Sequence, residues 1–230
     1  MGIAYNTNIV RDGLVLYLDA ANIKSYPGTG TAWNDLSGNG NNGTLVNGTA
    51  YTTDNNGCMS FDGTNDYITL VNNQDTKLAN PVQTISIMVF IRSVGPNQYA
   101  EIYAVSGNGY HLIKWEPSAI SLGISSYFYS NFVSVTNNYN QWMEITCIIN
   151  WESNTFSVYK NGNFINTINI TPNNWTYTNP STASIGWNRG TGNTGDFMNG
   201  NVGNVKIYNR ALTANEIQQN FNAVRRRYGI

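Results

Sequence analysis

Residues 84–92, TISIMVFIR, decide the fold class of this chain. Ile85, Ile87, Val89 and Ile91 alternate with residues of the opposite face. Apolar residues at every second position are typical of a β-strand that turns one face toward a core. We therefore read this stretch as the strongest strand of a β-rich protein.

Similar segments lie on both sides of it, and Asn- and Gly-rich turns separate them. The chain has 38 Asn and 22 Gly among 230 residues, and both residue types tolerate the positive φ of tight turns. Asn161-Gly162 is typical of a two-residue hairpin turn. The pattern predicts an all-β fold with two antiparallel sheets packed face to face. Single strands are also predicted at residues 14–19, 142–151 and 199–210, and two strands joined by a turn are predicted within each of residues 58–70 and 155–170.

Only the C-terminus has a helical pattern. Thr213 precedes Glu216 by three residues, which is the spacing of a capping box. The apolar residues that follow share one helical face, predicted to pack on the sandwich: Ile217, Phe221, Val224 and Tyr228. No linker divides the chain, so we expect an N-terminal arm over residues 1–12 and one domain over residues 13–230.

Charge and apolar patterning exclude several classes of function. The net charge is −1, which gives no field to attract nucleic acid. No apolar run has the ~18 residues of a membrane-spanning helix. The first residues lack a signal peptide's apolar segment, so we expect synthesis in a cytoplasm and no membrane insertion. Cys58 and Cys147 lie in strand-like segments and are predicted to be two buried thiols.

Four phrases, taken together, carry a family resemblance. They resemble the LamG-like members of the concanavalin A-like lectin/glucanase jelly rolls, and the resemblance runs from about residue 12 to the C-terminus. Their wording also resembles domains in structural proteins of tailed-phage particles. The phrases are GLVLYLDAAN (13–22), WNDLSGNGNNGTL (33–45), SFDGTNDYITL (60–70) and GNVGNVKIYNRALTANEI (200–217).

The resemblance implies a concanavalin A-like jelly roll on the surface of a virion, as a head decoration or part of a tail fibre. Its partners would be virion proteins and host-surface glycans, and several copies would associate as a homo-oligomer. Synthesis in the host cytoplasm without a signal peptide agrees with release by host lysis. Fold alone does not select a function, so the residues have to be tested.

Glycoside hydrolysis requires two carboxylates that flank one sugar bond. The glucanases of this fold carry Glu-x-Asp-x-x-Glu on one strand, and no Glu here has Asp two residues later. His111 is the only histidine, which disfavours a Ser-His-Asp site. We therefore expect no enzyme activity. The alternative is a glycoside hydrolase with displaced carboxylates, for which Asp66, Glu144 and Asp196 are the candidates.

Residues 35–44, DLSGNGNNGT, form either a tight turn or a turn that also binds Ca²⁺. Loops of Asp, Asn and Gly supply the oxygen ligands that calcium prefers. The resemblance implies a calcium site to which Asp19 and Asn39 would contribute. Gly203 and Asn204 stand where relatives carry a late acidic pair, which weakens such a site. We favour the turn and expect no cofactor.

Sugar-binding grooves combine aromatic faces with amide side chains. Trp175 and Tyr177 alternate in the polar segment TPNNWTYTNP, and Tyr127 and Tyr129 share a face of another segment. These four residues are the predicted glycan contacts, although they could equally form a subunit contact. Three other tryptophans lie in or beside apolar strands and are predicted to be core residues: Trp33, Trp142 and Trp187.

Overall fold

The computed structural model describes most of the chain. It covers residues 8–73, 75–76, 80–93, 100–105, 110–115, 119–126, 129–136, 138–170, 183–187 and 197–230.

The described residues form sixteen strands and one α-helix. The strands are β1 (Leu14–Asp19), β2 (Ala32–Trp33), β3 (Gly43–Val46), β4 (Ala50–Thr52), β5 (Cys58–Asp62), β6 (Tyr67–Leu70), β7 (Val82–Ser93), β8 (Ala100–Val105), β9 (Tyr110–Trp115), β10 (Ala119–Ser126), β11 (Tyr129–Thr136), β12 (Trp142–Asn150), β13 (Thr155–Lys160), β14 (Asn163–Asn169), β15 (Ala183–Ile185) and β16 (Asn199–Tyr208). The helix α1 (Ala214–Val224) is followed by a 3₁₀ turn at Arg225–Tyr228, and another 3₁₀ turn lies at Asp54–Asn56.

The strands assemble into two antiparallel sheets. Sheet A has the order β14-β13-β12-β7-β16-β5-β4, and β1 pairs with the second half of β16 on the side opposite β7. Sheet B has the order β11-β10-β9-β8-β15-β6-β3-β2. The predicted fold, a two-sheet antiparallel β-sandwich with a short C-terminal helix, is confirmed.

One apolar core fills the space between the sheets. The four alternating residues of the 84–92 segment are fully buried there, and Ile102 and Ile185 of sheet B pack into the same cluster. Trp33 is also fully buried in this core, as predicted. Because alternate residues of each strand point inward, the other half point to the outer face of their sheet.

The turns use Asn and Gly where the backbone needs positive φ. Asn161 (φ 51°) and Gly162 (φ 77°) close the hairpin between β13 and β14, which confirms the predicted turn. The pairing of Lys160 with Asn163 places these two residues at the hairpin tip.

The C-terminal helix packs on the outer face of sheet A. Thr213 and Glu216 form the predicted capping box, and the four predicted apolar residues are all buried. The residues before β1 contribute to the same packing, because Val10 N–H donates to Asn220 Oδ1 (2.8 Å) and Tyr208 Oη donates to Val10 O (3.1 Å). Gln219 Nε2 also donates to Asn8 O (2.7 Å), so the described part of the N-terminal arm is anchored to the helix.

Both cysteines are buried and free. Cys147 belongs to the core between the sheets, whereas Cys58 packs on the outer side of sheet A beside Met88 and Trp142. Burial raises the pKa of each thiol, which makes both inert as nucleophiles. Within the residues that the structure describes, no helix combines the length and apolar character that crossing a membrane requires.

Candidate functional site

The predicted glycan contacts fall largely outside the described chain. Trp175, Tyr177 and Tyr127 are not among the described residues. The backbone of Tyr129 lies in β11, where it pairs with Ser126 of β10, but the Tyr129 side chain is not part of the described structure. These four assignments therefore remain predictions.

A different aromatic group lies at one end of sheet B, and we call it the aromatic patch: Tyr67, Trp187 and Phe197. The rings of Trp187 and Phe197 are stacked, with centroids 5.2 Å apart and an interplanar angle of 15°. The ring of Tyr67 lies 4.8 Å from that of Trp187 at 51°. Phe197 is buried, whereas Tyr67 and Trp187 are half-buried.

The strands explain why these rings meet. Tyr67 begins β6 and alternates with Ile68, which is buried in the core, so Tyr67 points to the outer face of sheet B. Gly186 follows β15 with φ 89°. A Cβ atom there would lie 2.8 Å from the ring of Phe61, so only glycine lets the chain pass and place Trp187 beside Tyr67.

Amide side chains border the aromatic patch. Asn47 and Asn65 are exposed in the two turns next to Tyr67, and Asn47 Nδ2 donates to Asn65 O (2.7 Å). Asp66 braces the same turns, because its carboxylate accepts from Gly48 N (2.8 Å) and Asp62 N (3.0 Å). Burial raises the pKa of Asp66. Half-exposed rings beside exposed amides match the chemistry of a sugar-binding surface.

The prediction that Trp187 is a core residue is wrong in part, since its ring is only half-buried. Tyr67 and Phe197 are not among the predicted glycan contacts. The alternation Tyr67-Ile68-Thr69-Leu70 was the signal for Tyr67. Trp142, by contrast, is buried as predicted, at 9% exposure.

The loop at residues 35–44 is a turn organised around Asp35. The carboxylate of Asp35 accepts from Tyr17 N (2.8 Å), Ser37 N (2.8 Å), Ser37 Oγ (2.6 Å) and Asn41 N (3.1 Å). Asn41 Nδ2 donates to Val15 O (2.7 Å), which ties the turn to β1. The predicted chain reversal is thus confirmed.

The two residues predicted to bind calcium make contacts of different kinds. Asp19 accepts from Tyr17 Oη (2.8 Å) and pairs with the guanidinium of Arg227 (2.9 Å). Asn39 Nδ2 donates to Ser37 Oγ (3.0 Å) and Leu14 O (3.3 Å). A guanidinium therefore neutralises the Asp19 carboxylate. Among the described residues, no group of three or more His, Cys, Asp or Glu could hold a metal ion.

A second polar group, which we call the buried cluster, lies under the C-terminal helix: Glu144, Asn204, Lys206 and Tyr228. Lys206 Nζ donates to Glu144 Oε1 (2.9 Å) and to Asn204 Oδ1 (2.8 Å), and Asn204 Nδ2 donates to Tyr228 Oη (3.2 Å). Burial raises the pKa of Tyr228 to about 12, so its hydroxyl stays protonated at neutral pH. Glu144 Oε2 is buried without a hydrogen-bond partner.

Two of the three displaced-carboxylate candidates therefore have structural contacts. Glu144 is an ion-pair partner beneath the helix, and Asp66 braces two turns at the end of sheet B. Asp196 lies outside the described residues. The structure does not bring Asp66 and Glu144 together in one groove.

Comparisons with known proteins agree with this architecture. A family model described as the concanavalin A-like lectin/glucanases superfamily matches residues 62–218, which is more than half of the chain. None of the curated proteins matches the chain in sequence.

Solved structures share the fold at low identity. A structure of botulinum neurotoxin type C, described as dependent upon interaction with two ganglioside molecules for cell entry, has a TM-score of 0.73 and 17% identity, with 94% of this chain and 52% of that chain covered. The botulinum neurotoxin DC binding domain in complex with SialylT has a TM-score of 0.68 and 15% identity, with 94% of this chain and 52% of that chain covered. A Trypanosoma rangeli sialidase mutant with trans-sialidase activity has a TM-score of 0.69 and 17% identity, with 92% of this chain and 33% of that chain covered. This chain thus spans about half or a third of those proteins.

Proposed function

The chain belongs to the concanavalin A-like lectin/glucanase superfamily, and from this premise we propose that it is a non-catalytic glycan-binding protein of adhesive function. The aromatic patch carries this proposal. Tyr67 and Trp187 are aromatic residues that remain partly exposed, and Asn47 and Asn65 are exposed amide residues beside them. The rings would stack on the apolar face of a sugar, and the amides would bond its hydroxyl groups.

The neighbours support the ligand class rather than its identity. One toxin structure is described with an interaction with two ganglioside molecules, and another is a complex with SialylT. Because their identity to this chain is at most 17%, their similarity concerns the fold. The ligand of this chain is thus inferred from its own aromatic patch.

The contacts of the acidic residues support a non-catalytic function. A catalytic pair needs two carboxylates facing one sugar bond, roughly 5–9 Å apart. Glu144 is buried against Lys206, and Asp66 is committed to two backbone N–H groups. Both carboxylates are therefore committed to contacts within the protein.

We further propose that the protein is displayed on a virion surface, as a head decoration or tail-fibre component that contacts host glycans. The support is the resemblance of the four sequence phrases to tailed-phage domains. Mass spectrometry and immunogold electron microscopy of purified particles from the source would test this location. Detection on the particle is the expected result, and its absence from purified particles would refute the location without affecting glycan binding.

A glycan array tests the binding function directly. We expect the wild-type protein to bind a defined subset of glycans, and Trp187→Ala to weaken that binding at least tenfold, as the loss of a central aromatic contact does. Phe164→Ala is the matched control, because Phe164 is 57% exposed on β14, away from the aromatic patch. Unchanged binding by Trp187→Ala would remove the patch from the site, and glycan cleavage by the wild type would refute the non-catalytic assignment.

A further inference from the structure

We propose that Lys206 and Asn204 join through an intramolecular amide bond, formed by the protein itself with Glu144 as the proton acceptor. This would be a covalent modification site inside the buried cluster, independent of glycan binding. Three observations support it: the contacts of the amine, the dryness of the site and the unused oxygen of Glu144.

The reacting groups are already in contact. Lys206 and Asn204 lie two residues apart on β16, so both side chains point to the same outer face of sheet A. Lys206 Nζ lies 2.8 Å from Asn204 Oδ1. Since a carbonyl bond is about 1.23 Å long, the amide carbon of Asn204 lies within about 4 Å of the amine, close to the ~3–3.5 Å of a near-attack geometry.

The site excludes water. Lys206 and Asn204 are fully buried and Glu144 is 1% exposed. A lysine amine becomes a good nucleophile when it is desolvated and loses its proton. The 2.9 Å hydrogen bond from Lys206 Nζ to Glu144 Oε1 provides a direct path for that proton.

The chemical step balances without an added reagent. Glu144 Oε1 takes one proton from the Lys206 ammonium, and the neutral amine attacks the Asn204 amide carbon to form a C–N bond. The original C–N bond of the amide then breaks. Its nitrogen takes a second proton from the Lys206 nitrogen and leaves as ammonia. The products are a secondary amide between the two side chains, one ammonia and a protonated Glu144.

The surrounding residues suit this reaction. Tyr228 Oη lies 3.2 Å from Asn204 Nδ2, the nitrogen that leaves. Glu144 Oε2, buried and without a hydrogen-bond partner, is a free site for the shared proton. The product removes a buried ammonium and carboxylate, which relieves the desolvation cost of the ion pair.

Intact-mass spectrometry of the purified wild-type chain tests the proposal. The expected mass is that of the sequence minus one ammonia. Trypsin would then fail to cleave after Lys206, so that residues 190–210 appear as one peptide that has lost ammonia. A wild-type mass equal to the sequence mass, or normal cleavage after Lys206, would overturn the proposal, whether or not any variant folds.

A second source of ammonia loss has to be separated. Asn-Gly pairs such as Asn199-Gly200, which lies in the same peptide, can close a five-membered imide, which also releases ammonia but takes up one water in mild base to give Asp or isoaspartate. The amide between Lys206 and Asn204 survives that treatment. Gain of one water in mild base would therefore contradict the proposed bond.

Variants assign the role of each residue. Glu144→Gln and Lys206→Arg are both expected to lose no ammonia at these residues and to be cleaved by trypsin after residue 206. Lys24→Arg, a change of the same type at an exposed lysine, is expected to lose ammonia as the wild type does. Loss of ammonia by Glu144→Gln at the wild-type rate would overturn the role of Glu144.

Discussion

The outer faces of the two sheets differ in what covers them. On sheet A, the C-terminal helix and the 3₁₀ turn after it bury a row of polar and aromatic side chains, including Asn204, Lys206 and Trp142. On sheet B, Tyr67 and Trp187 remain half-exposed beside two amide-bearing turns. Similar residue types therefore stabilise the packing on the outer face of sheet A and remain accessible to solvent on the outer face of sheet B.

The two tryptophans illustrate the difference. The Trp142 ring contacts the rings of Tyr228 (centroids 4.5 Å apart) and Phe90 (5.6 Å), and its Nε1 donates to Asn55 Oδ1 (2.9 Å). The indole is buried among these partners and contributes to stability. The Trp187 ring stacks on Phe197 yet keeps part of its surface accessible. Burial, rather than residue type, therefore separates an enclosed tryptophan from one with an accessible surface.

The largest expected effect on stability comes from removing the Asp19 carboxylate, which pairs with Arg227 in the 3₁₀ turn after the C-terminal helix. Asp19→Ala would leave the Arg227 guanidinium, whose side chain is 16% exposed, without its carboxylate and Tyr17 without its acceptor. Removing one member of a largely buried pair costs about 3–5 kcal/mol. Guanidinium denaturation followed by tryptophan fluorescence would measure the loss.

Asp12→Ala is the matched control for this change. Asp12 pairs with Arg210 at 2.9 Å, but its side chain is 85% exposed, and surface pairs contribute only about 0–1 kcal/mol. Equal losses of stability from the two substitutions would mean that burial does not determine the strength of these ion pairs.

Gly203 is expected to give the next largest effect. A Cβ atom at Gly203 would lie 2.0 Å from Tyr228 Oη, so Gly203→Ala forces the C-terminal segment away from sheet A. Overpacking of this kind costs about 1–3 kcal/mol. Urea denaturation would show a reduced midpoint.

A double-mutant cycle checks the cause. Tyr228→Phe removes the overlapping hydroxyl, so the double variant Gly203→Ala/Tyr228→Phe should lose less stability than the sum of the single variants. Strict additivity would contradict a clash between these two residues.

The fold could be predicted from the sequence because its signals are local. Alternation in the 84–92 segment, the Asn161-Gly162 turn and the Thr213–Glu216 capping box each depend on neighbouring residues only. The resemblance of four phrases then gave the architecture. These elements were all confirmed.

The candidate site was less predictable because it depends on long-range contacts. Tyr67, Trp187 and Phe197 meet only after β6 and β15 pair, and no local pattern encodes that pairing. The pairing of Asp19 with Arg227 joins residues from opposite ends of the chain. A sequence pattern identifies a carboxylate that could bind a metal ion, but it does not reveal whether a metal ion or an arginine side chain lies beside it.

Acid should weaken the attachment of the helix on sheet A by a smaller amount. Hydrogen bonds from Arg210 (2.6 and 3.0 Å) lower the pKa of Glu216 to about 2 from its ordinary value of 4.5. A carboxylate with a lowered folded-state pKa stabilises the protein above pH ~4.5, and this contribution is lost as the pH falls toward 2. Since the Glu216 side chain is 25% exposed, solvent screening reduces the contribution to about 1.5 kcal/mol.

The variant Glu216→Gln isolates this contribution. The wild type should be more stable than Glu216→Gln at pH 7, and the difference should shrink as the pH is lowered from 5 to about 2. Thermal unfolding across this range measures it. A difference that grows on acidification would reverse the assigned sign.

The smallest effect on stability, and the sharpest contrast between the two faces, is expected from paired aromatic changes. Tyr67→Leu on sheet B and Phe90→Leu on sheet A each replace a half-buried ring that contacts a tryptophan. Each change removes one aromatic pair but keeps an apolar side chain, and should cost about 0.5–1 kcal/mol. Binding separates them: Tyr67→Leu should weaken glycan binding severalfold, because it removes a ring of the aromatic patch, whereas Phe90→Leu should bind as the wild type does. Titration calorimetry with a glycan selected on the array would measure the affinity of each variant. Equal binding by both variants would contradict the proposed difference between the covered outer face of sheet A and the accessible outer face of sheet B.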